Sequence, residues 1–196
     1  MTLRRNGSGK IRENSKSTDN SSVSQKRYLR RRATSHLETL RVLDLFAGKG
    51  LLWRDFATEK YVAVEIDESK NQNAIHTDNR KLIPRIDLSK FNVIDLDSYG
   101  VPADQIKLIY DNKTLQDGTV IIYTCISNKV STIPSTLARY ASISRGLYEK
   151  AQTLFNGWST ELFFDYLASL GVDKVIEYEH PSHEHGYTKK YGYFVV

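Results

Sequence analysis

Acidic residues at the ends of apolar runs are the side chains best placed to do chemistry in this sequence. Asp44 lies within the run 42–46, which breaks into a loop containing Gly48 and Gly50. Glycine reaches positive φ and lets backbone amides meet a ligand with no Cβ in the way. Glu65 lies near the end of the run 61–66. Asp78 follows 74–77, and Asp95 and Asp97 close the run 91–96 ahead of a polar turn holding Ser98, Tyr99, Gly100 and Pro102. Glycine loops of this kind often cradle a pyrophosphate. Two residues argue otherwise here: Trp53 stands where a third glycine would allow close helix-to-strand contact, and Asp44 would repel a diphosphate while attracting a cation. Glu65 is spaced from the loop as a residue that accepts two ribose hydroxyls would be. A carboxylate such as Asp97, accepting the hydrogens of a delocalised amine, would draw that nitrogen toward tetrahedral geometry, and Tyr99 would offer a stacking face.

Parallel strands must bring these residues together. The runs 42–46, 61–66, 91–96 and 118–126 are nearly continuous apolar stretches, as strands buried on both faces should be, and 74–77 is a shorter one. Helices are expected at 33–40, 51–58, 103–112, 135–155 and 159–170, the last ending at Gly171, with one or two turns at 68–73. Strands at 172–178 and 191–196 close the chain. In an open α/β sheet the carboxyl ends of the strands form the ligand crevice, so the acids converge there. Cys125, inside an apolar strand, reads as a small buried hydrophobe. His180, His183 and His185 lie within six residues of one another, but no cysteine or further carboxylate pair completes a metal site. They are expected to face phosphate or solvent, and no metal is expected.

The loop resembles the first motif of class I S-adenosylmethionine-dependent methyltransferases, roughly D-x-F-x-G-x-G, which Asp44, Phe46, Gly48 and Gly50 match position for position. The resemblance implies a Rossmann-like α/β fold: a mostly parallel seven-stranded sheet, a C-terminal antiparallel hairpin and helices on both faces. It also implies S-adenosylmethionine as cofactor. Asp44, Phe46, Ala47, Gly48 and Gly50 would surround its methionine end, Glu65 and Ile66 its ribose, and Asp78 and Asn79 its adenine, with Asp95 beside them. The run Asp95 to Pro102 resembles the fourth motif of amino-methylating enzymes, and more narrowly that of tRNA guanine-N2 dimethyltransferases, through Asp95, Asp97, Tyr99, Gly100 and Pro102. Asp97, Ser98, Tyr99 and Gly100 would then form the catalytic turn. Ser98 replaces that pattern's proline, so either the loop is held another way or activity is weakened.

Length and charge bound the rest. The chain of 196 residues suits one domain with a real core. A single cysteine excludes an internal disulfide, and no apolar run suggests a membrane span or signal peptide, so a cytoplasmic protein is expected. Residues 1–32 hold ten Lys and Arg against two acids, a net +8, while the remainder holds 18 against 21, a net −3. This segment, poor in apolar residues, reads as a disordered basic arm over 1–34, with the methyltransferase-like domain over 35–196. The arm and the Arg- and Tyr-rich stretch 139–150 would bind nucleic acid, RNA more than DNA, through phosphates and stacking. A protein partner could supply target recognition. Two other functions stay open: a catalytically silent cofactor-binding accessory or nucleic-acid-binding protein, and a DNA amino-methyltransferase.

Overall fold

The computed structural model describes residues 4–5, 11–12, 23–127, 132–172, 175–182 and 187–196. Its elements in chain order are β1 (Arg4–Arg5), β2 (Ile11–Arg12), α1 (Val23–Ala33), β3 (Arg41–Asp44), β4 (Lys60–Ala63), α2 (Asn79–Leu82), β5 (Val93–Leu96), α3 (Ala103–Tyr110), β6 (Val120–Ser127), α4 (Ser135–Tyr140), α5 (Arg145–Lys150), α6 (Gln152–Gly157), α7 (Ser159–Ser169), β7 (Ile176–Ser182) and β8 (Tyr187–Val195). Strands β1 and β2 pair only with each other. The other six form one sheet in the order β4-β3-β5-β6-β8-β7. The four strands β3 to β6 are parallel, and β8 runs antiparallel to both β6 and β7.

The main sheet has six strands among the described residues where seven were expected. At 74–77, the site of the missing one, a single parallel bridge joins Ile75 to Val64. The chain leaves β3 for β4 on one side and returns to β5 on the other. The switch point, and hence the crevice, lies at the carboxyl ends of β3 and β5.

Alternating side chains divide the core into two layers. Leu43, Ile94 and Ile121 pack against α3, α4 and α7 through residues such as Ile106, Leu137 and Phe163. Val42, Val93, Val120 and Ile122 face Leu29 and Ala33 of α1, together with Leu52 and Trp53. Over Val23–Ala33, helix α1 replaces part of the disordered arm expected at 1–34. Lys26, Leu29, Arg30 and Ala33 are buried at helical spacing, a stripe that hydrophobic periodicity does not reveal because two of its four members are cations. Neither 33–40 nor 51–58 is an α-helix. With α1 already covering that sheet face, Trp53 turns inward and its indole N–H donates to Asp95 at 2.6 Å. The single helix expected over 135–155 is three short ones. Ser142, at φ 54°, ends the first of these, a conformation that a helix cannot continue through.

What fixes α1 is an ion pair sealed inside the molecule. Arg30 Nε lies 2.7 Å from Asp95 Oδ2 and Nη2 lies 2.9 Å from Oδ1, while Nη1 donates to the Lys26 carbonyl at 2.9 Å. Arg30 and Asp95 are 1% and 0% exposed, so either partner left alone would be an uncompensated charge. Arg30→Met is expected to lower the unfolding free energy in urea by about 3–5 kcal/mol, and Arg30→Met/Asp95→Leu to recover most of that loss. A loss below about 1 kcal/mol for the single variant would show that the pair is not needed.

Candidate active site

The loop after β3 is held from several sides. Ala47 N donates to Val64 O at 3.0 Å, and Gly50 N to Ala47 O at 2.7 Å. Gly48 and Gly50 sit at φ 52° and 67°, where a side chain would be strained. Glu65 completes the turn: one carboxylate oxygen accepts Gly48 N at 2.9 Å and the other accepts Asp67 N at 3.0 Å. Each oxygen keeps a lone pair for a further donor.

Two cavities open on this loop. The inner one, about 260 Å³, is bordered by Phe46, Ala47, Gly48, Glu65, Asp97 and Tyr99. The outer one, about 200 Å³, is bordered by Asp78, Asn79, Arg80 and Gln105. Phe46, Glu65 and Ile66 line both, so the two are lobes of one cleft meeting at Glu65. Ile66, 70% exposed, offers an apolar flank at the junction. Asp78 caps α2 by accepting Arg80 N at 2.9 Å and pairs with the Arg80 side chain at 2.7 Å, and these hydrogen bonds hold its carboxyl below the usual range. Asn79 donates to Leu45 O at 2.8 Å, which ties the outer lobe back to the loop.

The fourth-motif turn reaches the inner lobe. Asp97 accepts Lys26 Nζ at 2.7 Å on one oxygen and the Thr124 hydroxyl on the other. The Ser98 hydroxyl donates to Thr124 O at 2.8 Å, and Ile126 N donates to Gly100 O at 2.9 Å. The restraint a proline would have supplied therefore comes from hydrogen bonds to β6. Tyr99 stands at the rim, 75% exposed.

Several expected site residues lie elsewhere. Neither Asp44 nor Asp95 lines either lobe. They are register partners at the ends of β3 and β5, buried behind the loop. Asp44 accepts the Tyr61 hydroxyl at 2.9 Å and Phe46 N at 3.3 Å, so its part is to brace the loop. Gly50, Ser98 and Gly100 shape the backbone without lining the cleft, and no residue of 139–150 borders it. Conversely, Lys26, Lys49, Lys70 and Lys189 line the inner lobe beside Glu65 and Asp97. The cleft is thus not the ring of carboxylates expected from the sequence. Lys49 and Lys70 flank the loop and the Glu65 strand end, where proximity was a usable signal; Lys26 lay in the supposed arm and Lys189 in the closing strand. His180, His183 and His185 fall outside the residues whose side chains are described.

No family model and no curated protein matches the chain. Among solved structures it is similar to a SAM-dependent methyltransferase from Archaeoglobus fulgidus, at 13% identity and a TM-score of 0.53 over 88% of this chain and 93% of that one. It is also similar to the O-methyltransferase from Bacillus cereus in complex with SAH, at 13% identity and 0.55 over 91% and 83%. The chain has a methyltransferase-like α/β fold. This methyltransferase-like sheet places its glycine loop and both lobes at the switch point between β3 and β5. None of the described helices is long and apolar enough to cross a membrane.

Burial, reinforced by the charge of Asp95, pushes the Asp44 carboxyl well above its ordinary value of 3.8, against the pull of Arg30 and the Tyr61 hydroxyl. A carboxyl that holds its proton more tightly when folded contributes stability that is complete below the unfolded value and is lost as pH rises toward the folded one. Asp44→Asn is therefore expected to resist urea better than the parent at pH 7, with the difference shrinking as pH falls toward 4. A difference independent of pH would contradict this.

Proposed function

We propose that the protein is an S-adenosylmethionine-dependent methyltransferase acting on an exocyclic amine of a nucleic acid base, with RNA favoured over DNA. The observation that carries this reading is the joining of two lobes at Glu65, with the Asp97 turn bordering one and Asp78 the other. The residues present fit the cofactor. Glu65 has lone pairs to accept ribose hydroxyls, Ile66 and Phe46 can flank the adenine, and Asp78 and Asn79 offer polar contacts to its edge. Lys49 on the loop suits the methionine carboxylate. When bound, the cofactor supplies an electrophilic methyl group on a sulfonium.

The chain's own contribution is orientation and charge. Asp97 accepts hydrogens of the substrate amine through the lone pairs that Lys26 and Thr124 leave unused, which localises the nitrogen lone pair and offsets the charge that develops on it. Tyr99 stacks on the base once it has left its pairing. Lys70 and Lys189, bordering the same lobe, suit the flanking phosphates. Resemblance of the 95–102 run to tRNA guanine-N2 dimethyltransferases favours RNA. A second reading, a cofactor-binding protein that transfers nothing, is favoured by the Lys26 contact on Asp97 and by Ser98 in place of proline. Calorimetry with S-adenosylmethionine and tritium transfer to mixed RNA and to duplex DNA separate these readings: binding without transfer supports the silent protein, and label in duplex DNA the DNA enzyme.

Asp97→Asn is expected to leave cofactor affinity within about threefold and to lower tritium transfer to RNA by about 100-fold or more; transfer at the parent rate would remove Asp97 from the chemistry. Lys26 and Arg30 are bound within the domain, so the phosphate-binding arm of this reading is residues 1–22. Residues 1–22 retain five Lys and Arg. Deleting them is expected to reduce the slope of log RNA affinity against log salt by about 3, at about 0.7 per phosphate contact, and an unchanged slope would exclude the arm from binding.

A further inference from the structure

Lys26 is an ammonium carried into the inner lobe on a helix that belongs to the core. It is 7% exposed, lines the cavity, and lies 2.7 Å from Asp97 Oδ2 and 5.7 Å from the centre of the Tyr191 ring. An ammonium has three N–H donors. Asp97 takes one, and no other protein acceptor meets the rest among the described residues. A buried donor facing a cavity in this state calls for an acceptor on whatever enters. Helix α1 does not swing away to supply a different geometry, because Arg30, one turn along, is locked to Asp95 and Leu29 and Ala33 are packed in the core.

We propose that Lys26 and Asp97 together read an amidine edge, in which the amine to be methylated donates to Asp97 while the adjacent ring nitrogen accepts from Lys26. This rests on the reading of the inner lobe as the substrate site and narrows its substrate class to cyclic amidines, such as the amino-bearing edges of the bases. The chemistry is that of the Asn or Gln side chain that reads adenine through one acceptor and one donor side by side, here divided between two residues held together by their own ion pair. The carboxylate localises the amine lone pair, and the ammonium meets the in-plane lone pair of the ring nitrogen, which fixes the edge in register with Asp97. Lys26 is thus a specificity-determining residue.

The test uses the full chain saturated with S-adenosylhomocysteine and two neutral probes, 2-aminopyrimidine, which has the amidine edge, and aniline, which has the amine without the ring nitrogen. Affinities are read by NMR titration. The parent is expected to bind 2-aminopyrimidine about tenfold more tightly than aniline. Lys26→Met is expected to bring the two within about twofold while cofactor affinity is kept, and Lys26→Arg to retain a preference. Equal affinities in the parent overturn the proposal without recourse to any variant. So does a preference that survives in a folded Lys26→Met protein, and so does a loss of cofactor affinity with the preference intact, which would assign the Lys26 donors to the methionine carboxylate. Because the preference is read without turnover, absence of tritium transfer to nucleic acid counts against the function proposed above, whereas absence of the preference counts against this pairing alone.

Discussion

Two carboxylates placed side by side at the ends of neighbouring parallel strands set the condition that the rest of the structure satisfies. Asp44 and Asp95 are register partners on β3 and β5, both buried. Two such charges about 5 Å apart would repel by about 3 kcal/mol at an effective dielectric of about 20, before any cost of desolvation. Burial raises the carboxyl titration of both residues, and Arg30 opposes the rise in both. The Arg30 guanidinium, forked onto Asp95, is what makes the pair tolerable. The switch point of the sheet therefore depends on a residue far from it in sequence.

The same interaction determines what the cleft looks like. Lys26 and Arg30 are four residues apart on a helix, a rise of about 6 Å. Asp95, on β5, and Asp97, the first residue past its end, are two residues apart, about 6.6 Å if the chain stays extended. The spacings match, so a helix antiparallel to the strand end delivers one cation to each acid: Arg30 to the sealed position and Lys26 to the open one. Docking α1 for stability thus also places an ammonium in the inner lobe. Trp53 contributes to the same arrangement by giving its indole N–H to Asp95.

The strands were legible because runs such as 91–96 and 118–126 are apolar on both faces, and their observed counterparts β5 and β6 differ from them by about two residues at an end. The acids at the strand ends were legible for the same reason. Helix α1 was not, since Lys26 and Arg30 occupy half of its buried stripe and a hydrophobic pattern treats them as solvent-facing. They become readable once the strand acids are regarded as needing partners: Asp44 and Asp95, buried by the very pattern that defines their strands, require a cation from elsewhere. Residue type did not show which acids face the cleft. Asp44, Asp95 and Asp97 fall on one sheet face by alternation, and the depth of the first two behind the loop is set by α1, in a stretch that reads as a basic arm, and by Trp53, in a stretch that reads as a helix. The third strand shrank to one bridge at Ile75, where the run 74–77 is too short and polar to hold a ladder.

Sequestering Asp44 and Asp95 changes the electrostatics of recognition. If both faced the cleft, the lobe would attract cations indiscriminately and oppose any phosphate-bearing substrate. With both neutralised from behind, negative charge is confined to Glu65 and Asp97, and each is committed in advance: Glu65 to the amides of Gly48 and Asp67, Asp97 to Lys26 and Thr124. A carboxylate already hydrogen-bonded is fixed in direction and offers only its remaining lone pairs, so it selects donors by geometry more than by charge. Four lysines can then line the same lobe without the acids losing their function, and a polyanion can approach a site whose chemistry is conducted by carboxylates. The buried ion pair behind the sheet is thus what allows an anion-attracting entrance and an amine-accepting interior to share one cleft.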